Sequence, residues 1–362
     1  MAKDYSKIVS NFSIDGSVKS IEPLGNGLIN DTFKVTTWDD STPDYVLQRV
    51  NTAIFPDVEM LQANIEAVTS HIRGKLIAAG ETDIDRKVLR FVRTIDDRTF
   101  FSDDDGQCWR LSVFIPRSST VQTVNEVYSQ FAGEAFGNFE AMLTDLPTAI
   151  GEVIPKFHNM ELRLSQLRDA VQRDAVGRVK QVHDMIADIE ANADAMCRAE
   201  QLYRQGVLPK RICHCDTKVN NMLFDENGRV LCVIDLDTVM PSFVFSDYGD
   251  FLRTAANCVA EDSKDIDGAN FNMAIFRAFT RGYISSARGF LTPVEIENLP
   301  FAAQLFPFMQ AVRFLADFIN GDVYYKIAYP EHNLVRARNQ LHLFHSVTAH
   351  LPEMAKFIAS LS

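Results

Sequence analysis

Two short stretches gather the side chains of this sequence best suited to chemistry. One is His214-Cys215-Asp216-Thr217-Lys218-Val219-Asn220-Asn221; the other, further on, is Ile234-Asp235-Leu236-Asp237. An aspartate on a loop, an asparagine five residues later and a second aspartate beyond a hairpin are what metal-assisted phosphoryl transfer requires. One carboxylate takes or orients the proton of an acceptor hydroxyl. An amide oxygen and another carboxylate are hard ligands that suit Mg²⁺ bridging ATP phosphates. Taken singly, such residues also cap turns and end strands. Their order and density favour the chemical reading. Cys213 and Cys215 flank His214, but two thiols without a matching second pair do not make a zinc site.

The elements that must position these residues follow from the hydrophobic pattern. Met222-Leu223-Phe224 and Val230 to Ile234 enclose Asn227-Gly228, the strongest short hairpin signal there is. That hairpin holds the flanking polar groups in fixed relation. The first 116 residues read as strands with one helix among them. Ser17–Leu24, Thr32–Thr37 and Tyr45–Val50 form a meander; Val88–Val92, Thr99–Phe101 and Cys108–Ile115 resume it. Between them, Val58, Leu61, Ile65, Val68 and Ile72 share one helical face from Asp57 to about Ile77. After Pro116 the texture becomes helical. Glu126–Leu143 carries Val127, Phe131, Ala135 and Phe139 at four-residue steps, Val179–Leu202 is expected as a second helix stopping near Gly206, and Pro300–Ser360 forms a further helical block. The expected fold is α+β with two lobes, a β-rich lobe over residues 1–116 and a larger, mainly helical lobe over 117–362, joined by a tight hinge near Ile115–Ser118.

Composition narrows the classes. The chain has 362 residues, with 36 basic against 48 acidic side chains and a net charge of −12. That sign excludes a general nucleic-acid binder, which must displace counterions from phosphates. At 46% hydrophobic and 23% charged it is an ordinary globular protein. No run approaches the ~18 apolar residues of a membrane span, and residues 1–16 lack the apolar core of a secretory signal. A cytoplasmic location and no membrane partner are therefore expected. Six cysteines, at 108, 197, 213, 215, 232 and 258, read as buried thiols.

The pattern H-C-D-T-K-V-N-N followed by I-D-L-D resembles the aminoglycoside phosphotransferase and choline kinase superfamily, whose fold is protein-kinase-like. Further blocks are similar to the N-acetylhexosamine 1-kinase group: Val46-Leu47-Gln48 leading to Asn51–Pro56, Arg313-Phe314-Leu315-Ala316-Asp317, and Tyr329-Pro330-Glu331-His332-Asn333-Leu334-Val335-Arg336. The resemblance implies that Asp216 is the catalytic base, that Asn221 and Asp235 ligate Mg²⁺, that His214 supports the loop by hydrogen bonding, and that Asp247 braces it from a following helix. It implies a phosphate-covering turn at Gly25-Asn26-Gly27 with Asn30 and Thr32, where glycines let backbone N–H groups approach an anion. Adenine would meet main-chain groups near Phe114 and Ile115, where the lobes join. Asp237, Arg313 and Tyr324 are expected to orient the acceptor; His332, Arg336 and Arg338 are read as a structural cluster.

Two positions depart from the pattern. Leu28 stands where those sugar kinases carry a histidine. Gln48 stands where kinase-like folds place their phosphate-clamping lysine, with Arg49 on the opposite strand face, so Arg49, Lys34 or another cation must substitute. Without that lysine, Glu59 and Glu66 on the helix read as surface charges. The resemblance implies an ATP- and Mg²⁺-dependent kinase acting on the anomeric hydroxyl of an N-acetylhexosamine by direct in-line transfer. Alternatives are an aminoglycoside, choline or other amino-alcohol kinase, or a nucleotide-binding pseudokinase.

Overall fold

The structure is a computed structural model that describes residues 4–25, 30–122 and 124–361, so Asn26, Gly27 and Leu28 lie outside the described residues. Two compact units form. The first joins residues 1–120 with 145–155 and 222–240, and the second takes 121–144, 156–221 and 241–362.

The first unit is built on an antiparallel sheet. Strands β1 (Val18–Pro23), β2 (Asp31–Thr37), β3 (Tyr45–Arg49), β4 (Phe91–Val92), β5 (Phe101–Ser102) and β6 (Cys108–Val113) run in the order β1-β2-β3-β6-β4, with β5 also on β6. Alternation puts Tyr45, Leu47, Trp109 and Leu111 on one face, where they form a core with Ile8, Val9 and Phe12. Helix α2 (Val58–Ala78) starts where the Asp57 side chain accepts from Met60 N–H, and it buries the expected Val58, Leu61, Ile65, Val68 and Ile72. Two short helices were not expected: α1 (Tyr5–Val9) and α3 (Ile84–Lys87). The strand expected over Val88–Val92 is two residues long, Phe91–Val92. The hairpin of β8 (Met222–Phe224) and β9 (Val230–Val233) closes as the Asn-Gly signal implied, with Asp225 N–H donating to Arg229 O at 2.8 Å.

The second unit is helical: α4 (Glu126–Met142), α5 (Met160–Arg173), α6 (His183–Met196), α7 (Arg198–Arg204), α8 (Phe245–Ala255), α9 (Met273–Ala287), α10 (Pro293–Glu297), α11 (Leu299–Ile319) and α12 (His332–Leu361), with the short strand β7 (Arg211–Cys213). Three expectations are corrected here. The buried face of α4 is Ser129, Ala132, Gly133, Phe136, Gly137, Phe139 and Glu140, while Val127 is exposed. Glycine decides this. A Cβ at Gly133 would stand 2.1 Å from Phe279 O, and one at Gly282 would stand 2.1 Å from Gln130 O, so α4 and α9 approach closely only on that side. The segment Val179–Leu202 is a 3₁₀ turn (Val179–Val182), then α6, then α7, broken at Cys197 where its N–H bonds Asp194 O. The break turns Ala199 and Glu200 inward. Of the six thiols, Cys108 is half-buried and Cys258 exposed; the other four are buried.

Among the described residues, no helix is long and apolar enough to cross a membrane.

Candidate active site

In the first unit the sheet face opposite the core carries a polar ladder. Register sets Thr32 across from Gln48 and Gln48 across from Arg110. Gln48 Nε2 donates to Thr32 Oγ1 at 3.2 Å, and Gln48 Oε1 accepts from Arg110 Nε at 3.0 Å. The Arg110 guanidinium also meets Asp237 Oδ1 at 2.6 Å. Asp237 Oδ2 accepts from Asn30 Nδ2 at 2.6 Å, and Asn30 Oδ1 accepts from Asn51 N–H at 3.0 Å. Strand β2 with the preceding Asn30, strand β3 bearing Gln48, and the turn after Asp235 are thus tied into one network. The cation nearest the lysine position is Arg110, whose role the sequence did not reveal; an arginine inside a strand carries no motif. Lys34 lies 3.0 Å from Asp44 and above the Phe114 ring, and Arg49, on the other face, pairs with Asp31 at 2.5 Å. Asp237, expected at the acceptor, has its carboxylate engaged within this network and is 3% exposed. Glu59 is exposed and lies beside Arg98, and Glu66 is half-buried and pairs with Arg93.

The remaining nucleotide-side positions are placed as follows. Gly25 has φ +71° with open space around its α-carbon, the left-handed conformation that favours glycine. Phe114 N–H donates to Asp44 O at 2.9 Å, and buried Ile115 accepts from Ser118 Oγ through its carbonyl at 2.7 Å. Arg86 of α3 donates to the carbonyls of Pro116 (3.2 Å) and Arg117 (2.7 Å) and pairs with Glu226 of the hairpin, which fixes the segment leaving the sheet. Asp235 sits at φ +60°, a conformation costly for a non-glycine residue and typical of functional turns. Asn64 of α2 holds this turn in place, donating to Val239 O at 3.3 Å and Gly151 O at 2.8 Å.

In the second unit the loop after β7 carries Asp216. Cys215 takes φ +63°, and the strain is offset by Asp247 of α8, whose carboxylate accepts from the N–H groups of His214 and Cys215 at 2.7 Å each. Thr217 Oγ1 donates to the carbonyl of Asp247 at 2.7 Å. His214 is fully buried edge-on to Phe136 and Phe139, and its Nδ1 accepts from Asp216 N–H at 3.3 Å. Asn221 Nδ2 donates to Asp216 O at 2.8 Å and to Asp216 Oδ2 at 3.3 Å. Lys218 Nζ stands 2.8 Å from both Asp216 carboxylate oxygens, a contact that the D-T-K spacing carried but that the sequence reading did not use. Nearby, Asp250 pairs with Arg253 at 2.9 Å. Burial pushes the Asp250 carboxyl up, Arg253 opposes this, and the charge of Asp216 adds to it.

Arg313 and Tyr324 belong to a wall built by two of the sequence blocks. The Asp317 carboxylate accepts from the N–H groups of Val323, Tyr324 and Tyr325 at 2.8–3.0 Å and from Asn333 Nδ2 at 2.9 Å. That cage presents Tyr324 to solvent. Arg313 lies over the rings of Phe157 and Tyr325 and donates to Gln310; Arg163 donates to Phe157 O. Among the described residues, neither arginine pairs with a carboxylate. Burial, then Arg313, lowers the Arg163 guanidinium to about 10, and buried His158 is pushed well down by burial and by Arg313, Arg163 and Arg253. Of the cluster read as structural, His332 Nδ1 accepts from Ala328 N–H at 3.0 Å and Arg336 lies over Phe314, while Arg338 is exposed.

Asn221 Nδ2 is committed to Asp216, which leaves its Oδ1, a hard oxygen donor, uncommitted by those two bonds.

A β-rich unit with an antiparallel sheet and a helical unit carrying this loop are the two parts of a protein-kinase-like fold. Residues 20–290 match the phosphotransferase enzyme family, APH, and the chain belongs to that family. It is an ATP-dependent small-molecule kinase with an alcohol acceptor. Solved structures share the fold. An aminoglycoside phosphotransferase from Alicyclobacillus acidocaldarius is 14% identical with TM-score 0.61, over 99% of this chain and 98% of that one. A choline kinase from Streptococcus pneumoniae is 13% identical with TM-score 0.53, over 92% and 94%. An amicoumacin kinase, in complex with AMP-PNP, Ca²⁺ and its antibiotic, is 13% identical with TM-score 0.56, over 98% and 92%.

Proposed function

We propose that this kinase transfers the γ-phosphate of ATP to the anomeric hydroxyl of an N-acetylhexosamine. The observation that carries the phosphoryl-transfer part is the loop built around Asp216, with its backbone held by Asp247, its carboxylate against Lys218 and Asn221 beside it. Asp216 takes the proton of the attacking hydroxyl as the oxygen engages the γ-phosphorus and the bond to ADP breaks. Lys218 offsets negative charge next to that base. By the family resemblance, Asn221 and Asp235 are the residues that would hold Mg²⁺, and the ion would neutralise charge on the phosphates when bound.

The acceptor reading rests on the blocks around Arg313 and Asp317 and on the charge of the wall they build. Among the described residues Arg313 and Arg163 have no acidic partner, and a cationic acceptor such as choline or an aminoglycoside would meet uncompensated positive charge there. A neutral, hydroxyl-rich sugar takes arginine donors without that penalty.

A coupled ADP-release assay with Mg-ATP across N-acetylhexosamines, aminoglycosides and choline tests this, with ³¹P and ¹H NMR locating the phosphate. Turnover with the hexosamine and an anomeric phosphate is expected. Preference for a cationic acceptor would sink the sugar assignment while leaving the kinase in place. No turnover with any acceptor would favour a nucleotide-binding protein without transferase activity.

A further inference from the structure

Beneath the loop that carries Asp216 lies a buried acidic cluster that phosphoryl transfer does not itself use. Glu140 of α4 is 2% exposed, and Tyr283 Oη of α9 donates to its Oε2 at 2.5 Å. Its other oxygen, Oε1, is buried and makes no hydrogen bond among the described residues. The carboxylates of Glu140 and Asp247 and the Cys213 thiol lie within 4.8 Å of one another. Both oxygens of Asp247 already accept the loop amides. Two ionised carboxylates in such a place would leave one buried charge without compensation, which is strongly destabilising.

We propose that Glu140 is a positioning residue for the catalytic loop: a neutral carboxylic acid that donates its proton to Asp247 and so fixes the carboxylate on which the His214 and Cys215 amides hang. The proton gives the carboxyl of Glu140 a hydrogen bond to the Asp247 carboxylate beside it. A metal ion is the competing occupant, since Glu140, Cys213 and Asp247 offer three ligands. The Cys213 Sγ, however, donates to Phe243 O at 3.3 Å, and Asp247 faces amides on both oxygens.

The surroundings keep Glu140 neutral. Burial, and then the Asp247 charge, push its carboxyl well above the ordinary range. The groups facing it are Asp247 from α8, Tyr283 from α9, and Cys213 with the following His214 and Cys215. Arg211, the nearby cation, is paired with Glu295 at 3.0 Å. Because the folded state retains this proton while an unfolded glutamate loses it near 4.5, wild-type stability drains away as pH rises above that value.

The inference rests on the kinase reading only for its activity arm. Glu140→Gln keeps the shape, donates to Asp247 through its amide and accepts from Tyr283 through its carbonyl. Its melting temperature, measured against wild type from about pH 5 to pH 8, is expected to gain steadily on wild type as pH rises, and its kcat is expected to survive. Glu140→Ala, which deletes the donor, is expected to lose roughly 10- to 100-fold in kcat with little change in KM for ATP. A pH-independent difference in melting temperature between Glu140→Gln and wild type would overturn the shared proton, even if Glu140→Ala fails to fold. One equivalent of bound metal in the purified protein, lost in Glu140→Gln, would overturn it in favour of the ion. If no acceptor is phosphorylated, the kinase reading fails and the melting series still decides the proton.

Discussion

Arg110 and Asp237 meet at 2.6 Å with their side chains 3% and 5% exposed, an ion pair closed off from water inside the first unit. A buried pair of this kind contributes little against a hydrophobic replacement, but removing one partner strands the other charge. Arg110→Ala is expected to cost about 3–5 kcal/mol in urea unfolding. Replacing both by apolar residues, Arg110→Met with Asp237→Leu, is expected to recover much of that loss. A double-mutant cycle with no coupling between the two sites would refute the assignment.

At Asp216 the expected effect is on rate alone. The side chain is partly exposed and the loop is held from Asp247, so Asp216→Asn is expected to lower kcat by about 10²–10⁴ with an unchanged melting temperature. Lys218→Ala is expected to reduce kcat as well, by a smaller factor. Steady-state kinetics and differential scanning fluorimetry on the same preparations check both. Undiminished turnover in Asp216→Asn would remove it as the base.

Asp235 combines the proposed ligand carboxylate with a left-handed backbone, and substitutions separate the two. Asp235→Gly relieves the φ +60° strain but removes the carboxylate, so a folded, inactive protein is expected. Asp235→Asn and Asn221→Ala are expected to raise the Mg²⁺ concentration needed for half-maximal activity. A magnesium titration that is the same for these variants and wild type would show that the metal is held elsewhere.

Glu200 supplies a pH dependence of stability. Its Oε1 accepts from Met160 N–H at 2.6 Å, and burial raises its carboxyl from 4.5 to about 7. A raised folded value means that its contribution is complete below 4.5 and is lost as pH climbs toward 7. The slope is at most about 1.4 kcal/mol per pH unit. Glu200→Gln keeps the acceptor for Met160 and is expected to flatten this arm. Parallel melting curves for the variant and wild type from acid to neutral pH would contradict it.

How much of this was legible in the sequence follows from the range of each interaction. Strands β1 to β3, α2 and the Asn-Gly hairpin are local patterns of period and turn chemistry, and their bounds fall within a few residues of expectation. The H-C-D-T-K-V-N-N loop was legible because its residues must be close in sequence to be close in space. The α4 face was not. Val127 and Phe131 follow the helical period, but the side that packs was chosen by Gly133 and by Gly282 on a distant helix. Arg110 and Glu140 were missed for the same reason. Their meaning lies in Asp237 and Asp247, partners that no window of sequence contains, whereas Lys218 sat two residues from its carboxylate and was available to a reader who asked what it would touch.

The first unit is assembled from three separated stretches of chain, the last ending at Met240. Synthesis runs from the N-terminus, so a nascent chain that has emerged only to Thr120 holds the whole sheet but not the hairpin. At that stage Arg110 has no counter-ion and the backbone of Ser119 has not met Phe224. The order of translation thus imposes a wait in which most of the nucleotide-side sheet exists without the residues that complete it. A gene fragment cut at the apparent lobe boundary would capture that waiting species rather than a domain.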